Sequence, residues 1–302
     1  LGDVYKRQLI LVITAFVALG SGLLRAQNET TLFPYPQVPQ DMGNLYDRCN
    51  FLVDKFWERC NFKSAMSSRA RLSKAFGDYI GFMPYATVDT VYMSIDRLME
   101  SVRKSADQSA AFAEMAEAWL YSDTAQYRSD ELYYRFLGHT AVNKKIPAEQ
   151  RRRYEAQKRI LDSSRVGATL PDIELTKADG SKTTMAADTS DYSLLFIYAP
   201  DNFDCTLART RLSADMVLNQ LNDAGIVRVV SLYAGEPDAS FSEAVSAMPS
   251  GWLNVATPMA SEIFDLRHFP AIYYLDRNKK VLGKNLDVDN ILAAFRSLMN
   301  KN

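Results

Sequence analysis

Histidine occurs only twice and cysteine only three times in this chain of 302 residues. Two histidines as far apart as His139 and His268 do not supply the clustered ligands of a dedicated metal site. Three cysteines are an odd set, so one thiol stays unpaired even in an oxidising compartment, and a disulfide framework is excluded. Cys49 and Cys60 are the nearby pair. On one continuous helix their spacing spans about 16 Å, beyond the reach of a disulfide, which predicts two core thiols. An excess of either charge is also missing: 35 Lys and Arg stand against 36 Asp and Glu. The chain therefore lacks the positive field that gathers nucleic acid or anionic lipid. It contains no Gly-rich phosphate loop, no paired-carboxylate constellation and no GxSxG elbow. No cofactor, metal or nucleic-acid partner is expected.

What is present is hydrophobic content, 47% of residues, enough to bury a core and, at this length, to fill two domains. At the N-terminus, Lys6 and Arg7 precede the apolar run Leu9 to Leu24, and Ala26 is the small residue that signal peptidases prefer. Gly20, Ser21 and Gly22 interrupt the run and Arg25 closes it, which is short for a membrane span. The expectation is a signal peptide over 1–26, cleavage near Ala26, and a periplasmic or otherwise exported protein. No cysteine follows the cleavage point to accept a lipid, so no stable membrane anchor is expected after cleavage.

The pattern then divides in two. After a proline-rich stretch (Pro34, Pro36, Pro39), Asp41 can cap a helix with Leu45, Cys49, Leu52 and Phe56 on one stripe. The spacing of Val88, Val91, Tyr92, Ile95, Leu98, Met99 and Val102 predicts a buried-face helix over Thr87 to Lys104. Further helices are predicted over Arg69 to Phe82, Ser109 to Tyr121, Ser129 to Leu137 and Pro147 to Leu161. Aromatics at helical spacing, Tyr133 and Phe136 among them, read as core. The basic run from Lys144 to Arg159, interrupted by Glu149 and Glu155, reads as a solvated face. An all-α domain over 27–164 follows.

From residue 165 the period changes. Weak alternation over Pro171 to Lys177, a turn at Ala178 to Ser181, and strands Leu194 to Ala199, Val227 to Tyr233, Ala271 to Leu275 and Lys280 to Lys284 are predicted, with helices over Asp204 to Asp223, Ser261 to Leu266 and Val288 to Met299. The region around Trp252 shows no clear period. Alternating strands and helices predict an α/β domain over 165–302 with a mainly parallel sheet.

Two segments of this second half resemble the thioredoxin superfamily. Phe269-Pro270 before a strand, followed by Leu275-Asp276-Arg277-Asn278-Lys279-Lys280-Val281, is similar to its cis-proline strand and hairpin. Leu194 to Tyr198 running into Ala199-Pro200-Asp201-Asn202-Phe203-Asp204-Cys205 is similar to the strand, turn and helix start that carry CxxC. The helical half, through Phe51 to Phe62 and Tyr127 to Leu137, resembles a helical domain of unknown function that precedes thioredoxin-like domains in exported Bacteroidetes proteins.

The resemblance implies a thioredoxin-like fold with its redox motif at residues 202 and 205. A dithiol oxidoreductase needs an exposed first cysteine, held as thiolate by the helix start, and a second three residues on. Here Asn202 occupies the first position, and an amide neither ionises nor attacks a disulfide. Cys205 keeps the resolving position, where burial opposes ionisation and the helix dipole favours it. The peroxiredoxin branch, with a threonine three residues and a proline seven residues before its cysteine, is not matched: Asn202 and Tyr198 stand there. The resemblance also implies that Phe269, through backbone groups beside a cis Pro270, can pair with an extended peptide. The expected function is protein or peptide binding, or envelope assembly, at an Asn202/Cys205/Pro270 face. The alternative is a thiol-disulfide oxidoreductase or monothiol protein working through Cys205.

Overall fold

The structure, a computed structural model, describes residues 31–299, so the expected signal peptide lies outside the described residues. The chain divides into two compact units. One comprises residues up to Ser129 together with Val142–Ala148; the other comprises Asp130–Ala141 and Glu149 onward.

The first unit is helical: α1 Leu45–Lys55, α2 Phe62–Ala65, α3 Arg69–Phe82, α4 Val88–Val102 and α5 Ala106–Ala116, the last running into a π-helical turn over Glu117–Tyr121. Helix α1 starts at Asn44, whose side chain accepts from the Asp47 amide at 2.8 Å, and not at Asp41. It ends at Lys55, so Cys49 and Cys60 do not share one helix. Both thiols are free, Cys49 buried and Cys60 half-buried, and burial pushes the Cys60 pKa up to about 12. An aromatic core forms around Phe56, Trp57, Tyr79 and Phe112. The proline-rich stretch packs onto it: the Tyr35 ring lies 4.7 Å from Phe56, and the Tyr35 hydroxyl donates to Asp78 at 2.8 Å.

The second unit holds α6 Asp130–Thr140 and, from Glu149 on, α7 Ala148–Ser164, with a seven-stranded sheet. The strands are β1 Glu174–Lys177, β2 Lys182–Thr184, β3 Tyr192–Tyr198, β4 Val227–Tyr233, β5 Leu253–Ala256, β6 Ala271–Asp276 and β7 Val281–Lys284, in the order β2-β1-β5-β4-β3-β6-β7. Only β3·β4 and β4·β5 pair in parallel; the other four pairings are antiparallel. The sheet is mixed, and the mainly parallel expectation is corrected: hairpins at both edges reverse direction, which alternation of elements does not reveal.

The helix expected over Asp204 to Asp223 is two, α8 Phe203–Ala214 and α9 Met216–Asp223. Asp215 leaves the helical region (φ −78°, ψ 118°) and caps α9 by accepting from the Leu218 amide at 2.9 Å. The unassigned region contains α10 Ala239–Ser246 and β5, with Trp252 buried between them in the chain. Then come α11 Ala260–Ile263 and α12 Val288–Met299.

Strand β3 explains the layering. Leu194, Phe196 and Tyr198 face one apolar cluster with α8, α9 and α12 residues, while Leu195 and Ile197 face the other. A strand covered on both faces reads as a continuous apolar run rather than as an alternation. Each such side chain contributes about 1.5–3 kcal/mol through burial.

Candidate functional site

The register of the central strands gathers the candidate residues. Ile197 pairs with Ala271, and Tyr198 with Tyr233. The turn after β3 and the Phe269-Pro270 segment before β6 therefore lie at one end of adjacent strands. Asn202, Cys205, Phe269 and Pro270 share that end, and the Phe269–Pro270 peptide bond is cis.

The turn descends from β3 through Asp201, a non-glycine residue in the left-handed region (φ 59°). It reaches Asn202 in extended conformation (φ −93°, ψ 120°). There the side-chain oxygen of Asn202 accepts from the Cys205 amide at 2.9 Å, which makes Asn202 the N-cap of α8. The first amides of a helix are what stabilise a thiolate in this position. Here the Cys205 amide instead donates to the neutral side-chain oxygen of Asn202.

Cys205 lies below, 5% exposed, among Tyr198, Ala208 and other members of the α8-side cluster. Its thiol pKa is raised, chiefly by burial and further by the Asp204 charge, while the Ala199 backbone works in the opposite direction. Burial thus works against the thiolate at this position. Phe269 is half-buried and packs against the clusters on both sheet faces. His268 is exposed, and His139 lies in the last turn of α6. No group of metal-ligating side chains comes together among the described residues.

Sequence reasoning missed three features at this end. Tyr198, which closes β3, carries a buried hydroxyl with no hydrogen-bond partner. Phe203, the residue after the cap, is 77% exposed. Below the Pro270 segment, Asp265 receives Arg267 through Nε at 2.7 Å and a second nitrogen at 2.5 Å, and Lys284 at 2.9 Å. Lys284 also bonds Asp130 of α6. Arg267 and Lys284 hold the Asp265 carboxyl far below the usual carboxylate range against a large burial penalty. No sequence signal joins residues 130, 265 and 284, since the contact is tertiary.

A mixed sheet with a cis proline at the same end as a helix that starts in the turn after the central strand decides the fold. It is thioredoxin-like. The chain is similar in structure to a thioredoxin-like protein from Bacteroides caccae, with a TM-score of 0.76 and 23% identity over 88% of this chain and 99% of that one. It is also similar to the C-terminal domain of an uncharacterized Bacteroides fragilis protein, at 26% identity over 44% and 98% of the two chains, with a TM-score of 0.42. A thioredoxin domain of a thiol-disulfide oxidoreductase from Bacteroides vulgatus matches at 17% identity over 45% and 99%, with a TM-score of 0.39. Residues 22–164 match a family described as a domain of unknown function, DUF5106. No curated protein matches this chain. The family match ends at the last residue of α7, whereas compactness places Asp130–Ala141 and most of α7 with the thioredoxin-like sheet.

Proposed function

We propose that this is an exported, redox-degenerate thioredoxin-fold protein whose motif face binds protein or peptide partners instead of exchanging disulfides. The observation that carries this reading is Asn202: its amide caps α8 where a nucleophilic thiolate would stand, and the thiol three residues on, Cys205, is buried with its pKa raised by that burial. The backbone beside the cis Pro270 remains available in kind for pairing with an extended chain. The apolar run Leu9 to Leu24 with Lys6, Arg7 and Ala26 supports export, and binding at an envelope location fits a role in assembly.

The test is a disulfide-reduction assay on the protein, with Cys205→Ser as control. The expected result is no turnover above the uncatalysed rate in either form. Turnover that vanishes in Cys205→Ser would establish the monothiol alternative and overturn the binding reading.

A further inference from the structure

We infer that the sheet end carrying Asn202 and Pro270 docks a cationic polypeptide segment with apolar side chains set between its basic residues. This rests on the binding reading above and adds the chemistry of the partner.

Strand pairing brings four loops to this end. They are 199–202 after β3, 234–238 after β4, 257–259 after β5 and 266–270 before β6, as the pairs Tyr198 with Tyr233, Tyr233 with Ala256, and Ile197 with Ala271 require. Helix α8 starts there with Phe203 77% and Leu207 48% exposed. Four residues apart on a helix, they lie on one face. Met259, in the loop after β5, adds another exposed apolar side chain.

Scattered apolar side chains on a surface need no explanation; the charge around these is what is selective. Asp201 and Asp204 flank Phe203 on either side, and both are exposed, as is Glu236 in the loop after β4. None of the three forms an ion pair among the described residues. Some carboxylates elsewhere in the same unit are matched by the chain's own bases, Asp215 with Arg296, Asp289 with Arg211 and Asp188 with Lys279; others stand unpaired singly, and what sets this end apart is three such acids around exposed apolar side chains. At this end Arg267 is committed to Asp265, and Arg209 of α8, whose charge reaches Tyr198, is a single base against the three acids. In a chain of net charge −1, the negative field here is local. It attracts a basic segment and repels an acidic one or an anionic lipid surface. A second copy of this chain, seated symmetrically, would set these acids against themselves.

The experiment is a titration of the full chain against two labelled synthetic peptides, Lys-Phe-Lys-Leu-Lys and Glu-Phe-Glu-Leu-Glu, followed by fluorescence polarisation at low and high salt. The lysine peptide should bind at least about tenfold more tightly, with an advantage that shrinks as salt rises. Phe203→Ser should weaken it about tenfold without lowering Tm, since the ring is exposed. Asp201→Asn with Asp204→Asn should weaken it about fivefold and flatten the salt dependence. Asp191→Asn, before β3 at the other end of the sheet, should change nothing. Equal binding of both peptides, abolished by Phe203→Ser, would overturn the charge inference while leaving the binding reading standing. Binding of neither peptide would overturn both. Self-association lost in Phe203→Ser would assign the face to a second copy and overturn the cationic partner.

Discussion

At the scale of single residues, the motif end is built from side chains whose chemistry is decided by burial. Tyr198 shows this best. Its hydroxyl is buried without a partner, and burial, with the neighbouring Tyr233 and Cys205, raises its pKa against the opposing Arg209. A buried hydroxyl with no hydrogen bond loses its hydration and gains nothing in return. The ring, stacked on Phe196 at 5.9 Å, provides the packing. Tyr198→Phe should therefore stabilise the fold by up to about 1 kcal/mol, read as a higher urea midpoint at unchanged slope; a lower midpoint would show that the hydroxyl has a partner. The sequence places Tyr198 at the end of an apolar strand but carries no sign of whether its hydroxyl is satisfied. Asn202 is legible in the sequence as an amide at the position where the thioredoxin resemblance expects a cysteine. Its role as the cap of α8 is not, because capping depends on the extended backbone that Asp201 sets up just before it.

At the scale of elements, close approach limits what the helical unit tolerates. A Cβ added at Gly77 in α3 would lie 2.5 Å from ring carbons of Trp119. That indole cannot swing away freely, since its Nε1 donates to Ser73 at 3.0 Å from the same helix. Gly77→Ala should thus destabilise the protein by about 1–3 kcal/mol, although alanine is the better helix former by up to about 1 kcal/mol. A thermal melt at or above the wild-type midpoint would refute the clash. Helices α3 and α4 were read nearly to the residue because their apolar stripes are long and regular. The break between α8 and α9 was not, because Asp215 interrupts an apolar pattern that continues on both sides of it. Strand β5 was missed because four residues with two half-buried positions carry too little period to read.

At the scale of the whole molecule, the helical residues of the chain do not all serve the helical unit. Local periodicity reports that residues 130–164 are helical but not which core they join, so the expected boundary at 165 follows the change of period. Compactness assigns Asp130–Ala141 and Glu149 onward to the sheet. Tyr133, Phe136, Leu137, Tyr154 and Leu161 on α6 and α7 are buried, and Ser163 of α7 donates to the Ile263 carbonyl at 3.2 Å. Asp130 reaches Lys284, whose side chain is 3% exposed and shares Asp265 with Arg267. A fragment beginning at Val166 would lose the Ser163 bond to Ile263 and would leave Lys284 with one carboxylate fewer around its buried ammonium. It should melt well below a fragment beginning at Ser129, or fail to fold. In the intact chain, Asp130→Asn should cost about 1–3 kcal/mol by removing a charged hydrogen bond to a buried ammonium. Equal midpoints for the two fragments would return α6 and α7 to the helical unit and detach the Pro270 segment from any support by Asp130.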